Sequence, residues 1–404
     1  MLFSLQVKGY KSIIAGFKVL SKVLPIPKPT LFTGPGSSLE LCVSMAHMDT
    51  KKVLIVTDKV LLKMGLLKPL LEKLDSLSIA YVIYDGILPD PTNEQVNTGL
   101  SILKSHRCDA VLAFGGGSSM DAAKLISARA TNNKTVEQLQ GVLKIRKACL
   151  PLYVIPTTAG TGSEVSVAAV VSDPKTHKKS LVIDPKLVPK MAALDGALMT
   201  GLPPMITAAT GMDALTHAIE SYVSVIASEE TDEYALAATR LIMENLPKAV
   251  AQGDDVDVRQ AMAMGSFYAG LSMTKASLGY VHAISHSFGA KYRTPHGVGN
   301  ALVLPHVLDY SKPAVAERLA TLARVSGLDV ANKSDSDAAQ LFIDRIREML
   351  ESFGLSTTLD MLKREDIPEL AKAALKEAHY NYPVPIYMDQ RTCEGVIGKM
   401  LAAG

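Results

Sequence analysis

A chain of 404 residues, 48% apolar and 20% charged, holds material for two or three folded domains and excludes a disordered or low-complexity protein. Its 42 basic and 40 acidic residues leave a net charge of +2, which excludes a nucleic-acid footprint and an electrostatic attraction to membranes. The four cysteines, Cys42, Cys108, Cys149 and Cys393, form no CxxC pair and read as free thiols of a reducing, cytoplasmic setting.

Residues 1–24 are apolar but carry Lys8, Lys11, Lys18 and Lys22. The lysines leave no continuous apolar core and no small-residue cleavage site follows, so the segment reads as an amphipathic helix rather than a signal peptide. Pro25, Pro27 and Pro29 forbid its continuation, and residues 1–29 form an N-terminal extension. From about residue 30 to residue 202, short apolar runs alternate with helical stretches. The runs at 53–57 (VLIVT), 80–84 (AYVIY), 110–114 (AVLAF) and 152–156 (LYVIP) have strand length, far short of a membrane span. Unbroken apolar runs fit strands buried on both faces of a parallel sheet, and the helical stretches at 92–105 and 119–130 complete βαβ units. After Pro203 and Pro204 the β-runs cease. Helical patterns occupy 213–223, 230–245, 258–273, 279–290, 314–325, 336–353, 367–378 and 393–401. The expected fold is therefore an α/β dinucleotide-binding domain over 30–202 followed by an all-helical domain over 203–404.

Gly115, Gly116, Gly117, Ser118 and Ser119 follow the strand that ends at Phe114 and lead into a helix carrying Asp121 and Lys124. Such a turn lets a ligand approach the backbone, and the free N–H groups of the helix start suit a pyrophosphate. It is not the GxGxxG fingerprint, and alone it also fits an ordinary strand-to-helix turn. A second polar, glycine-rich stretch at 156–164, PTTAGTGSE, follows the next strand. Asp58 ends the strand VLIVT, where a carboxylate can accept from a ribose diol and repel a 2′-phosphate, or simply cap a helix.

Asp213 and His217 stand four residues apart, as do His282 and His286, so each pair shares one helix face. His296 follows Thr294 and Pro295 and precedes Gly297, which reads as a loop. Imidazoles with one carboxylate suit a borderline divalent ion, Fe²⁺ or Zn²⁺. Spacing offers five candidates, more than a four-ligand site with an open position needs, and does not say which histidine is the surplus one.

Four motifs together resemble the iron-containing (group III) alcohol dehydrogenases: GGGSSMDAAK at 115–124, PTTAGTGSEV at 156–165, AATGMDALTHAIE at 208–220 and HAISHSFGAKYRTPHGVGNALVLPHV at 282–307. The resemblance implies an α/β domain followed by a helical domain in a dehydroquinate synthase-like architecture. It implies a metal, named for iron, held by Asp213, His217, His282 and His296, and places His286 beside substrate and nicotinamide as the catalytic residue that relays a proton. It assigns the pyrophosphate to Gly116, Gly117 and Ser118, and further cofactor contacts to Asp121, Thr157, Thr158 and Thr161. Lys179 then reaches the cofactor ribose, Leu198 makes an apolar contact, and Asp58 selects NAD. The implied reaction is reversible hydride transfer between a small primary alcohol or aldehyde and NAD, in a homodimer or larger homo-oligomer. Two related chemistries, a glycerol dehydrogenase and a dehydroquinate-synthase-like lyase, share the architecture, and a non-catalytic metal- and nucleotide-binding protein is the reading from another class. The resemblance also places Asp90 at a cofactor-binding position, but there, within Pro89-Asp90-Pro91-Thr92, the sequence departs from the asparagine frequent in the family, as it does in the extension 1–29 and in the tail from Tyr380.

Overall fold

The computed structural model describes residues 2–23, 25–172 and 179–402. Two compact units form: Ile26–Leu202 with Asp254–Phe267, and the N-terminal helix with Pro203–Gly253 and the chain from Tyr268 onward. The described strands are β1 (Thr30–Thr33), β2 (Lys52–Val56), β3 (Ala80–Tyr84), β4 (Ala110–Gly115), β5 (Gly141–Val142), β6 (Leu152–Pro156), β7 (Ala168–Ser172), β8 (Lys179–Ile183) and β9 (Met191–Leu194). Six build one sheet in the order β1-β9-β6-β4-β2-β3, with every neighbouring pair parallel. The other three form a small sheet, β5-β8-β7, in which β7 and β8 run antiparallel.

The unbroken apolar runs are explained by burial on both faces. Val53 and Ile55 of β2, with Leu112 and Phe114 of β4, join one core cluster. Leu54 and Val56, with Val111 and Ala113, join the cluster on the opposite face. Side chains alternate across a strand, so each needs apolar residues at every position once both faces are covered. The helix Asn93–Ser105 begins in a capping box, where Thr92 Oγ1 accepts from the Gln95 N–H (3.3 Å) and Gln95 Oε1 accepts from the Thr92 N–H (3.0 Å).

This sheet fixes where a ligand can sit. The chain leaves β2 for β3 on one side and returns to β4 on the other. That reversal makes a switch point, and ligands bind outside the carboxyl ends of the strands at such a point. Asp58 follows β2 and the glycine turn follows β4, so they stand at the two lips of that crevice.

The second unit is helical: Pro204–Tyr222, Glu229–Ala251, Tyr280–Tyr292, His296–Val325, Asp335–Ser352, Ile367–Asn381 and Gln390–Gly398. Two expectations change here. His296 is the first residue of a helix, not a loop residue, with Pro295 in the extended conformation at its N-cap (φ −57°, ψ 137°). The helix expected to begin near residue 314 instead runs from His296 through Pro305 and Pro313, bending at Val315 (φ −134°) just after the second proline. The N-terminal helix is Leu2–Val23; the expected terminal residues Met1 and Leu24 lie outside the described residues. Its Ile14 is buried, and its Tyr10 ring lies 4.6 Å from the ring of His379. Among the described residues no helix is long and apolar enough to cross a membrane. All four cysteines are free.

Candidate functional site

Three helices of the second unit bring the histidines together. The helix Pro204–Tyr222 presents Asp213, His217 and, one turn on, Glu220. The helix Tyr280–Tyr292 presents His282 and His286 and ends where Arg293 takes the left-handed conformation (φ 58°). The next helix starts with His296 and carries Asn300 one turn later. These helices approach closely because glycine permits it: a Cβ on Gly297 would lie 2.4 Å from the backbone oxygen of Ala209.

The donor atoms of Asp213, His217, His282 and His296 all lie within 4.8 Å of one another, and His286 is not among them. Asp213 Oδ1 is 3.8 Å from His217 Nε2, 3.8 Å from His282 Nε2 and 3.4 Å from His296 Nε2. These separations are long for hydrogen bonds. They match four donors about 2.1 Å from one tetrahedral ion, whose ligand atoms lie about 3.4 Å apart. The side chains of Asp213, His217 and His282 are 3%, 5% and 1% exposed, whereas His296 is 34% exposed, so the cluster opens on one side only. Burial alone would raise the Asp213 carboxyl, but the imidazoles of His217, His296 and His282 and the Asn300 amide outweigh it and hold it below the usual value. Burial and the neighbouring His217 push His282 well below the ordinary imidazole value, so it is a neutral, lone-pair donor. One buried carboxylate with three imidazoles fits a divalent ion.

A second layer orients these donors. His282 Nδ1 donates to Glu220 Oε2 at 2.6 Å, and Glu220 Oε1 accepts from the Val281 N–H at 2.7 Å. The proton therefore sits on Nδ1 and the lone pair on Nε2, the arrangement a metal-ligating histidine needs. Gly279 makes room for that carboxylate, since a Cβ there would lie 2.7 Å from Glu220 Oε1. Burial pushes Glu220 up to about 7, against the opposing backbone donors. Asn300, fully buried, donates from Nδ2 to Asp213 Oδ1 at 2.7 Å and lies 3.1 Å from His282 Nε2 and 3.3 Å from His296 Nε2. Its Oδ1 is buried without a hydrogen-bond partner. His286 stands beside the cluster, stacked on His296 at 5.3 Å, with Nδ1 2.7 Å from Glu377 Oε1. Glu220, Asn300 and Glu377 were not singled out from sequence. Helical spacing could have flagged the first two, at Asp213 plus seven and His296 plus four.

The residues expected to contact a dinucleotide lie in the sheet unit. Gly115 has φ +155°, Gly116 caps the helix Gly117–Thr131, and a Cβ on Gly117 would lie 2.7 Å from Thr161 Cγ2. A Cβ on Gly116 would lie 3.3 Å from Thr158 Oγ1, and the Thr157 N–H donates to Gly115 O at 3.1 Å. The turn with Ser118 and the loop with Thr157, Thr158 and Thr161 thus interlock at the ends of the paired strands β4 and β6. Asp121 accepts from Ser163 Oγ (2.6 Å) and the Val170 N–H (2.9 Å), so both of its oxygens are engaged within the chain. Fully buried Lys124 donates to Ser166 O, Ser166 Oγ and Ala168 O at 2.8–2.9 Å. These two residues latch the second loop to the helix after the turn, a positioning role. Asp58 caps the short helix Lys59–Lys63, accepting from Val60 and Leu61 N–H groups at 2.8 and 3.0 Å. Lys179 and Asp90 form an ion pair at 2.8 Å, with Asp90 in the left-handed region (φ 55°). Leu198 lies in the turn Gly196–Met199 after β9, packed against the core.

The family model described as "Iron-containing alcohol dehydrogenase" matches residues 28–196, and the one for the C-terminal part of the Fe-containing alcohol dehydrogenase family matches residues 207–400. The NAD-dependent methanol dehydrogenase of Bacillus methanolicus is 39% identical over 351 residues, 86% of this chain and 92% of that protein. The lactaldehyde reductase of Escherichia coli K12 is 37% identical over 352 residues, again 86% of this chain and 92% of that protein. The solved alcohol dehydrogenase from Oenococcus oeni superposes with a TM-score of 0.90 at 33% identity, covering 94% of this chain and all of the other. The chain belongs to the iron-containing alcohol dehydrogenase family.

Proposed function

We propose that this chain interconverts a small primary alcohol and its aldehyde by hydride transfer to and from NAD. The sheet unit would carry the dinucleotide and the helical unit the metal, held by Asp213, His217, His282 and His296. The observation that carries this reading is the convergence of those four donors, with one carboxylate oxygen 3.4–3.8 Å from three imidazole nitrogens. The methanol dehydrogenase relative is NAD-dependent by name, which supports the cofactor assignment. When bound, the ion would supply a Lewis acid for an alcohol hydroxyl, which is otherwise far too weak an acid to ionise near neutrality, and the dinucleotide would supply the hydride acceptor.

The chain's own residues do the rest. Asp213 and the three imidazoles would hold the ion in a buried pocket that opens beside His296. Glu220 and Asn300 fix the orientation of two of these donors. His286, half-exposed next to that opening, would carry the proton between substrate and solvent. Gly116, Gly117 and Ser118 would hold the pyrophosphate at a helix start, beside Thr157, Thr158 and Thr161. Asp58 would accept from the ribose diol with the oxygen not used in its cap, while Lys179, Asp90 and Leu198 line the same end of the sheet. Iron or zinc would satisfy the donor set, iron being the ion of the family's name. A cytoplasmic setting, supported by four free cysteines, and a homodimer or larger assembly belong to the same reading. Anaerobic purification with metal analysis, followed by an NAD-coupled screen of small alcohols, tests it. Metal-bound protein that forms no NADH from any primary alcohol would overturn it.

A further inference from the structure

We propose that Glu377 is the positioning residue of His286, fixing the ring's orientation and its protonated nitrogen, with Tyr382 holding Glu377 in turn. The inference rests on the reading of His286 as the proton carrier. His286 Nδ1 and the Tyr382 hydroxyl both reach Glu377 Oε1, at 2.7 and 2.6 Å. A carboxylate can only accept, so it takes the Nδ1 proton and leaves the lone pair on Nε2. The ring is clamped between this bond and its neighbours, stacked on His296 (5.3 Å, 21°) and edge-on to His282 (5.9 Å, 74°).

Glu377 is itself anchored. It lies on the helix Ile367–Asn381, which packs along the helix of His286. The start of that packing is tied by Tyr292 donating to Asp366 at 2.8 Å and by Lys291 bridging Asp366 (3.0 Å) and Glu369 (3.2 Å). Tyr382, the residue after this helix, is buried at 8% exposure, so its hydroxyl has a fixed origin. Burial alone would raise the Glu377 carboxyl, but the bonds from His286 and Tyr382 outweigh it and keep it ionised. The arrangement repeats the Glu220–His282 pair one helical turn away, with a different outcome. One carboxylate turns an Nε2 lone pair into the metal cluster, and the other prepares an Nε2 outside it.

The test uses His286→Ala, Glu377→Gln, Glu377→Ala and Tyr382→Phe in the full chain. Metal content, kcat and KM for the alcohol are measured, together with ¹⁵N spectra of histidine-labelled, zinc-loaded protein. The expected result is full metal occupancy and little change in KM throughout. The kcat falls in the order wild type, Glu377→Gln, Glu377→Ala, reaching a loss of about 10–100-fold, part of the 10²–10⁴ that a positioned acid–base group contributes. Glutamine retains an acceptor for Nδ1–H and so rescues part of the loss, and Tyr382→Phe falls between wild type and Glu377→Ala. The spectra should place the His286 proton on Nδ1 in the wild type and lose that preference in Glu377→Ala. Wild-type kcat in both Glu377 variants, or a wild-type His286 proton on Nε2, overturns the inference. A wild-type rate in His286→Ala sinks the underlying reading instead, so the two failures are distinguishable.

Discussion

Glu220→Gln removes one charge and leaves the shape of the side chain, yet it should cost most of the metal affinity. The wild-type carboxylate accepts on both oxygens, from His282 Nδ1 at 2.6 Å and from the Val281 N–H at 2.7 Å. A glutamine has one acceptor oxygen and one NH₂ group. If the oxygen faces His282, the NH₂ opposes the Val281 N–H, and a buried donor loses its partner at a cost of about 1–3 kcal/mol. If the NH₂ faces His282, the ring is driven to carry its proton on Nε2, and that nitrogen can no longer bind an ion. The side chain is buried, and it packs so close to Gly279 that a Cβ there would lie 2.7 Å from Glu220 Oε1. Loss of such an outer partner typically weakens metal binding about 10–100-fold, equivalent to about 1.4–2.7 kcal/mol. A chelator competition with Zn²⁺ or anaerobic Fe²⁺, on wild type and variant, measures it. Equal affinities would refute the claim that Glu220 fixes the tautomer of His282.

Gly279→Ala should act on the same carboxylate without changing any polar group: its Cβ would meet Glu220 Oε1 at 2.7 Å, so the chelator titration should again show weakened binding. Burial raises Glu164 from 4.5 to about 7, so between those values the folded chain keeps a proton that the unfolded chain has released. Stability therefore falls as pH rises through that window. The melting temperature of the wild type relative to Glu164→Gln should decline from pH 4.5 to 7, and a rising or flat difference would show the sign to be wrong. Asp58→Ala removes the cap of Lys59–Lys63 and the negative charge at the end of β2, so the ratio of kcat/KM for NAD over NADP should fall. An unchanged ratio would leave Asp58 as a cap alone.

What could be read in advance followed from periodicity. Runs such as VLIVT and AVLAF announced strands covered on both faces, because each successive side chain needed its own apolar neighbour. The four-residue strands β1 and β9 escaped notice, since Thr30–Thr33 follows a proline-rich stretch and Met191–Leu194 is too short to show a period. The spacings of Asp213 with His217 and of His282 with His286 put the chemistry on two helix faces. Which histidine stands apart depended on tertiary placement, and the resemblance supplied an answer that spacing could not. Glu220, Asn300 and Glu377 meet their partners across 62, 87 and 91 residues of chain, so helical spacing can put the first two on the right helix face but cannot name the partner. The helix beginning at His296 was hidden because Thr-Pro-His-Gly has the composition of a loop. Proline is tolerated at a helix start, and Gly297 is there for close approach to Ala209. Asp121 shows the opposite hazard: its motif suggested a cofactor contact, while both its oxygens serve the latch to Ser163 and Val170.

The most direct test of the metal centre is the ion content of anaerobically purified wild type, His217→Ala, His282→Ala and His286→Ala. The account predicts an equimolar divalent ion in the wild type and in His286→Ala, and its loss in the other two. Full occupancy in His282→Ala, or loss of the ion on replacing His286, would contradict it.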